Sequence, residues 1–301
     1  MRERRTTSLD AAPPGVVRVA FNREKYGRRL LIDVAWMHDL TGFLIGTAHT
    51  LEFYEIAVVT RGTGVFSLDA QRHVVSSGSV FFTTPGQVRR WDTVGLDGFC
   101  LFFESSFIKE FLQDDAFLDR LPYFQATPER ASLHLSKTTL RGMRTRLTTM
   151  RAELAQHRRD SVDLLRAQLH ETLIFLARAY ANAHDTASQR PVHPVVTRFL
   201  ALIERDSGRM RGVNEYADAL AVAPGHLSVL CQRYLGQRAK RILDEATATR
   251  ARRMLLYTDE SIERVASTLG FDDPSYFSRF FRRETRQTPS AFRQAGRRER
   301  L

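Results

Sequence analysis

The chain has 301 residues, with 45 Lys and Arg against 34 Asp and Glu and a net charge of +11. That length exceeds what one hydrophobic core usually serves, and the charge implies an anionic partner, nucleic acid or a membrane surface. No run approaches the ~18 apolar residues of a spanning helix, and the basic start (MRERRTTSLDAAPP) has no apolar stretch behind it, so neither export nor membrane insertion is expected. Cys100 and Cys231 form no CxxC pair, which argues against a disulfide framework or a cysteine zinc site and fits a reducing cytoplasm.

The charge is unevenly spread: residues 191–301 carry +7 and residues 1–190 carry +4. Residues 1–20 read as a loose arm. Short runs rich in Val, Ile, Phe and Tyr follow at Phe53–Thr60, Gly64–Leu68, Val80–Thr83 and Phe99–Phe103, separated by Gly62, Gly64, Gly78, Pro85-Gly86, Gly95 and Gly98. That spacing predicts an antiparallel barrel or sandwich. Ser136–His157 and Ser161–Ala183 are rich in helix formers and predict two helices. In the second, Leu165, Leu169, Leu173 and Leu176 form one apolar stripe. Two partners satisfy such a stripe, the chain's own domain or the same helix of a second subunit. Residues 184–193 (HDTASQRPVH) are nearly free of apolar side chains and predict a linker between a domain at 1–183 and another at 194–301.

Beyond the linker one unit occurs twice. Ala217-x-x-Leu220 followed by Pro224-x-x-Leu227-Ser228-x-x-Cys231 returns as Ala266-x-x-Leu269 followed by Pro274-x-x-Phe277-Ser278-x-x-Phe281. The offset is 49 residues before the turn and 50 after it, the mark of a duplicated supersecondary unit. Each copy reads as a short helix, a tight turn and a second helix with proline in its first turn, the helix-turn-helix pattern. In the second copy Ser261 and Asp273 suit helix N-caps and Phe277, Phe280 and Phe281 supply a buried face. Ser275, Ser278, Arg279, Arg282 and Arg283 are left on a polar, cationic face that fits a DNA major groove.

SIERVASTLGFDDPSYFSRFFRRETRQTPSAFR closely resembles the second helix-turn-helix of the AraC family of transcription regulators, and the resemblance covers roughly residues 194–293. It implies two recognition helices in successive major grooves, joined by a central helix at about Ala239–Leu256. By motif position the implied base-facing residues are Gly225, Ser228 and Val229 in the first unit and Ser275, Ser278 and Arg279 in the second. Arg279 suits a bidentate contact to guanine, whereas the first helix offers one hydroxyl and suits thymine methyls or DNA shape. Phosphate contacts are expected from the helix starts at Ser261 and Thr288 and from Arg233, Arg241, Arg282 and Arg283. Arg286 stands where the family usually has the glycine that Gly236 supplies in the first copy.

Upstream, FYEIAVVTRGTGVFSLDAQRHVVSSGSVFFTTPGQVRRW resembles the cupin-like ligand-binding domain of many AraC-family regulators. The several His and the Glu of metal-dependent cupins are missing: His73 stands alone and Arg89 occupies a position where the second cupin motif often has histidine. No metal, no cofactor and no catalytic constellation is expected. An interior lined by Phe53, Phe66, Phe82, Trp91 and Phe102, with His49, Glu55 or Arg89 orienting a small molecule, is a candidate sensor, and plain barrel core describes each aromatic equally well.

The expected fold is α+β: an N-terminal cupin-like β-barrel with flanking helices and a C-terminal all-α domain of two helix-turn-helix units joined by a central helix. The expected function is sequence-specific regulation of transcription in response to a small-molecule effector, as a homodimer acting on double-stranded promoter DNA and RNA polymerase. The rivals are a constitutive DNA-binding protein whose N-terminal domain only dimerises, and a cupin-fold enzyme with a nucleic-acid-binding tail.

Overall fold

A computed structural model describes residues 16–27, 29–44, 46–69, 71–93, 95–124, 130–156, 158–184, 193–205 and 212–298, with the side chains of 41–44, 204–205 and 296–298 left out. Two compact units divide the chain, residues 16–184 falling in the first and 193–298 in the second. Most of the expected linker, 185–192, lies outside the described residues.

The first unit holds two five-stranded sheets. One has the order β1 (Val17–Val19), β3 (His49–Leu51), β8 (Val88–Trp91), β5 (Gly64–Leu68), β6 (Gln71–Val75); the other is β10 (Ser132–His134), β7 (Ser79–Thr83), β4 (Tyr54–Arg61), β9 (Asp97–Phe103), β2 (Ile32–Trp36). The four expected strand runs correspond to β4, β5, β7 and β9. Side chains alternate along β4, so Ala57 and Val59 join Phe66, Phe81 and Trp91 in the core between the sheets, while Tyr54, Ile56 and Val58 point to the opposite face. Helices α2 (Ser105–Leu112), α3 (Lys137–Gln156) and α4 (Ser161–Ala183) cover that opposite face. The second sheet is thereby buried on both sides, which is why β4, β7 and β9 read as unbroken apolar runs. Gly98 is required where β9 passes β4: its φ is 157° and a Cβ there would lie 2.1 Å from the Val58 carbonyl oxygen.

The Leu165, Leu169, Leu173 and Leu176 stripe of α4 is fully buried in this same core, with Met143, Leu147, Met150 and Leu154 of α3. Of the two partners the stripe allowed, the chain's own domain takes it, and those four leucines are not available to pair subunits. Helix α1 (Met37–Leu44) follows β2 directly and carries no strong signal in the sequence.

The second unit is all-helical: α5 (Pro194–Arg205), α6 (Val213–Ala219), α7 (Pro224–Leu235), α8 (Ala239–Tyr257), α9 (Ile262–Thr268), α10 (Pro274–Thr285) and α11 (Pro289–Arg298). It has two cores. Val196, Phe199, Tyr216, Ala217, Leu227 and Cys231 close on Ala239 and Leu243 at the start of α8. Val265, Ala266, Phe277, Phe280 and Phe281 close on Ala248, Ala251 and Leu255 towards its end. One helix of 19 residues, about 28 Å long, is thus a wall of both cores and fixes the spacing between the two units.

Candidate nucleic-acid interface

Each helix-turn-helix consists of a seven-residue helix, a turn and a twelve-residue helix starting with proline, whose missing N–H needs no partner in a first turn. In the second copy the Asp273 carboxylate accepts from the backbone N–H of Ser275 at 2.8 Å and of Tyr276 at 3.2 Å. Those bonds, that of Ser275 first, hold its pKa below the ordinary aspartate value. The Ser261 hydroxyl accepts from Arg264 N at 3.2 Å at the start of α9, and Thr288 Oγ1 accepts from Ala291 N at 3.3 Å at the start of α11. The second turn is one residue longer, and Gly270 supplies the left-handed residue there where Ala221, at φ 53°, does so in the first.

Burial repeats between the copies. The pattern of buried, half-buried and exposed residues from Ala223 to Gly236 is the same, position by position, as that from Asp273 to Arg286. Gly225 and Val229 are exposed on α7 with Ser228 half-buried; Ser275 and Arg279 are exposed on α10 with Ser278 half-buried. Each expected base-facing trio thus shares one edge. Val229 is 62% exposed and puts an apolar side chain on this edge. His226, Gln232 and Tyr276 share these edges and were not singled out from the sequence; reading every position of one copy onto the other at an offset of 50 would have found them.

The expected phosphate-contacting cations sort into two kinds. Arg233 and Arg282 are exposed, Arg233 lying over the Tyr234 ring. Arg241 and Arg283 are tied into an ionic network between α8 and α10: Arg241 contacts Glu245 at 3.0 Å and Glu284 at 2.5 Å, and Arg283 contacts Asp244 at 3.1 Å and Glu284 at 2.8 Å. Lys240 reaches Asp244 at 2.5 Å. Burial alone would raise the Glu284 pKa, but the Arg283 hydrogen bond and the Arg241 charge hold it below the usual glutamate range. Arg241 and Arg283 therefore tie the second recognition helix to the central helix, with side chains still 52% and 57% exposed.

In the first unit, the interior between the sheets is apolar at one end and polar at the other. Phe66, Phe81 and Trp91 form the apolar end, with Phe66 and Trp91 ring centroids 4.3 Å apart. At the other end His49, Glu55, Thr83 and Arg89 are all buried, and Phe53 and Phe102, with ring centroids 5.4 Å apart, belong to the same interior. Arg89 Nε donates to His49 Nε2 at 2.8 Å, the Arg89 guanidinium pairs with the Glu55 carboxylate, and His49 Nδ1 donates to the Thr47 carbonyl at 2.9 Å. Burial, and then the Arg89 charge, push the His49 pKa down to about 3, so its ring is neutral. Burial lowers Arg89 only to about 10, which leaves it charged. A guanidinium thus occupies the centre of a His and Glu pair of the kind that elsewhere holds a metal. Among the described residues no three His, Cys, Asp or Glu converge as a ligand set. Phe82 is not part of this interior: it faces the helices, stacked on Tyr123 at 4.2 Å, because it is one residue out of phase with Phe81.

Comparison with known proteins places both units. A family of AraC-like ligand binding domains matches residues 39–174, and a helix-turn-helix domain family matches residues 216–295. The HTH-type transcriptional activator RhaS of Pectobacterium carotovorum is 27% identical over 248 residues, covering 81% of this chain and 86% of the relative. Among solved structures, the C-terminal domain of AraT, a response regulator from Geobacillus stearothermophilus, is 25% identical with a TM-score of 0.34, covering 35% of this chain and 88% of that one. ToxT from Vibrio cholerae, at 12% identity and a TM-score of 0.38, spans 87% of this chain and 97% of its own. With a ligand-binding domain followed by two helix-turn-helix units on a shared central helix, the chain belongs to the AraC family of DNA-binding transcription regulators.

Proposed function

We propose that the protein binds promoter DNA with both recognition helices, Gly225, Ser228 and Val229 facing bases in one groove and Ser275, Ser278 and Arg279 in the next. The carrying observation is the second edge, where Arg279 has a side chain 72% exposed and, among the described residues, only Asp273, at 4.0 Å, for an ionic neighbour. A planar cation held out on a rigid helix suits guanine. Arg233, Arg282 and the helix starts at Ser261 and Thr288 contact phosphates. A small-molecule effector in the first unit, between Phe53, Phe66 and Trp91 and the polar group of His49, Glu55 and Arg89, biases DNA contact and recruitment of RNA polymerase. The protein works in the cytoplasm as a homodimer through a surface other than the α4 leucines, and as a regulator rather than an enzyme. The test is DNA binding by the wild type and Arg279→Ala over a salt series, using the promoter region beside the protein's own gene and, in parallel, a site selected from random duplexes. Wild type binds selectively with steep salt dependence, and the variant loses about 1 to 3 kcal/mol of discrimination at one base pair. Equal, unselective binding by both proteins on the selected site would overturn base reading by Arg279.

One observation favours a second reading. Arg89 and Glu55 already neutralise each other inside the barrel, which suits a solid, structural interior and a constitutive DNA-binding protein. DNA affinity that no metabolite extract changes, with an N-terminal domain whose melting temperature none of them moves, would favour that reading over effector control.

A further inference from the structure

The two helix-turn-helix units share backbone pattern and burial, so what distinguishes them is the chemistry of their exposed positions. Val229, Gln232 and Gly236 in the first unit correspond to Arg279, Arg282 and Arg286 in the second. Spacings of three and four put the three arginines on one edge, running from the middle of α10 to its C-cap. Their surroundings separate them from Arg283 on the adjoining edge, which is bound to Asp244 and Glu284. Among the described residues Arg282 and Arg286 have no ion pair, and their side chains are exposed. Gln232, the counterpart of Arg282, turns back on its own helix and donates to the Gly236 carbonyl at 2.9 Å.

Arg286 also sits in the left-handed region, at φ 65°, where the first unit uses Gly236 at φ 72°. A side chain at that angle strains the backbone by about 1 kcal/mol, a cost that glycine avoids in the first unit. Among the described residues no side chain pairs with it.

We propose that Arg282 and Arg286 are a phosphate clamp belonging to the second unit alone, continuing outward from the base-facing Arg279 along one edge of α10. The second half of the operator then carries the larger share of the salt-dependent grip, and the first unit adds the phosphate contact of Arg233 to shape and apolar contact. This rests on the DNA-binding reading of the same helices.

The experiment replaces the clamp with the first unit's own residues, Arg282→Gln with Arg286→Gly, in the full-length chain. Affinity for a duplex selected by the wild type is measured from about 50 to 200 mM salt. Two phosphate contacts fewer lower the slope of log K against log salt by about 2 and weaken binding roughly thirty-fold near physiological salt, with base preference kept. The melting temperature holds or rises, because the left-handed turn is relieved. Arg282→Lys with Arg286→Lys keeps the charges and the slope. An unchanged slope in the Gln/Gly variant, or an equal loss in the Lys pair, overturns the clamp; a wild type with no selective, salt-dependent binding overturns the DNA-binding reading instead.

Discussion

Arg283, on the second recognition helix, places Nη2 3.1 Å from Oδ2 of Asp244 on the central helix, and Glu284 beside it is gripped by both Arg283 and Arg241. The Glu284 side chain is only 3% exposed, so this carboxylate is the buried node of the network. Glu284→Gln should lower stability by about 1 to 2 kcal/mol at neutral pH, the worth of hydrogen bonds to a charged group with partly exposed partners. Because the folded pKa is depressed, the contribution is present above the ordinary glutamate value and is lost as pH falls through the folded value. Urea titrations of both proteins should therefore draw together as pH falls below the ordinary glutamate value and coincide once it is below the depressed folded value; a difference that persists there would mean the charge is not what matters.

His49 gives the first unit an acid sensitivity of its own. Its pKa falls from 6.5 to about 3 on folding, so the stability tied to a neutral ring is complete above pH 6.5 and is lost as pH drops towards 3. Between pH 6 and 4 this amounts to roughly 2 to 3 kcal/mol. His49→Gln can still accept from Arg89 and donate to Thr47 but does not titrate. Unfolding of the N-terminal unit followed by tryptophan fluorescence, since Trp36 and Trp91 both lie there, should show a flatter pH dependence in the variant.

The Arg89 and Glu55 pair is best examined as a cycle. Removing one member strands a buried charge, so Arg89→Met or Glu55→Leu alone should cost about 3 to 5 kcal/mol. The double variant should be far less damaging than the sum, because two apolar side chains then extend the Phe53 and Phe102 cluster. Additive losses would mean the pair is not coupled.

Val229 is an exposed apolar side chain on the edge proposed to face DNA, and the apolar feature of the major groove is the thymine methyl. Replacing single thymines by deoxyuridine in the first half of a selected operator removes one methyl at a time. One position should lose about 0.5 to 1 kcal/mol of affinity in the wild type and nothing in Val229→Ala. Indifference at every thymine would leave that helix reading shape.

The regulator was legible in the residues themselves. Proline at the start of each recognition helix, the apolar triplets Leu227, Leu230, Cys231 and Phe277, Phe280, Phe281, and the repeat at an offset of 50 express local rules of helix capping and 3.6-residue periodicity, which need no tertiary information. Strands β4, β5, β7 and β9 were visible for the same reason, as apolar runs between glycines. The tertiary structure alone decided who their partners are. An apolar stripe such as Leu165 to Leu176 states that something must cover it, and only packing on α3 and the second sheet showed that the cover is the chain's own. A strand buried on both faces loses its alternation, so sequence could not tell Phe81, inside the barrel, from Phe82, under the helices. Charge behaves likewise: Arg282 and Arg283 are neighbours in sequence, yet a 100° step around the helix leaves one in solvent and binds the other to Asp244, because ion pairing depends on distances that only the folded chain sets.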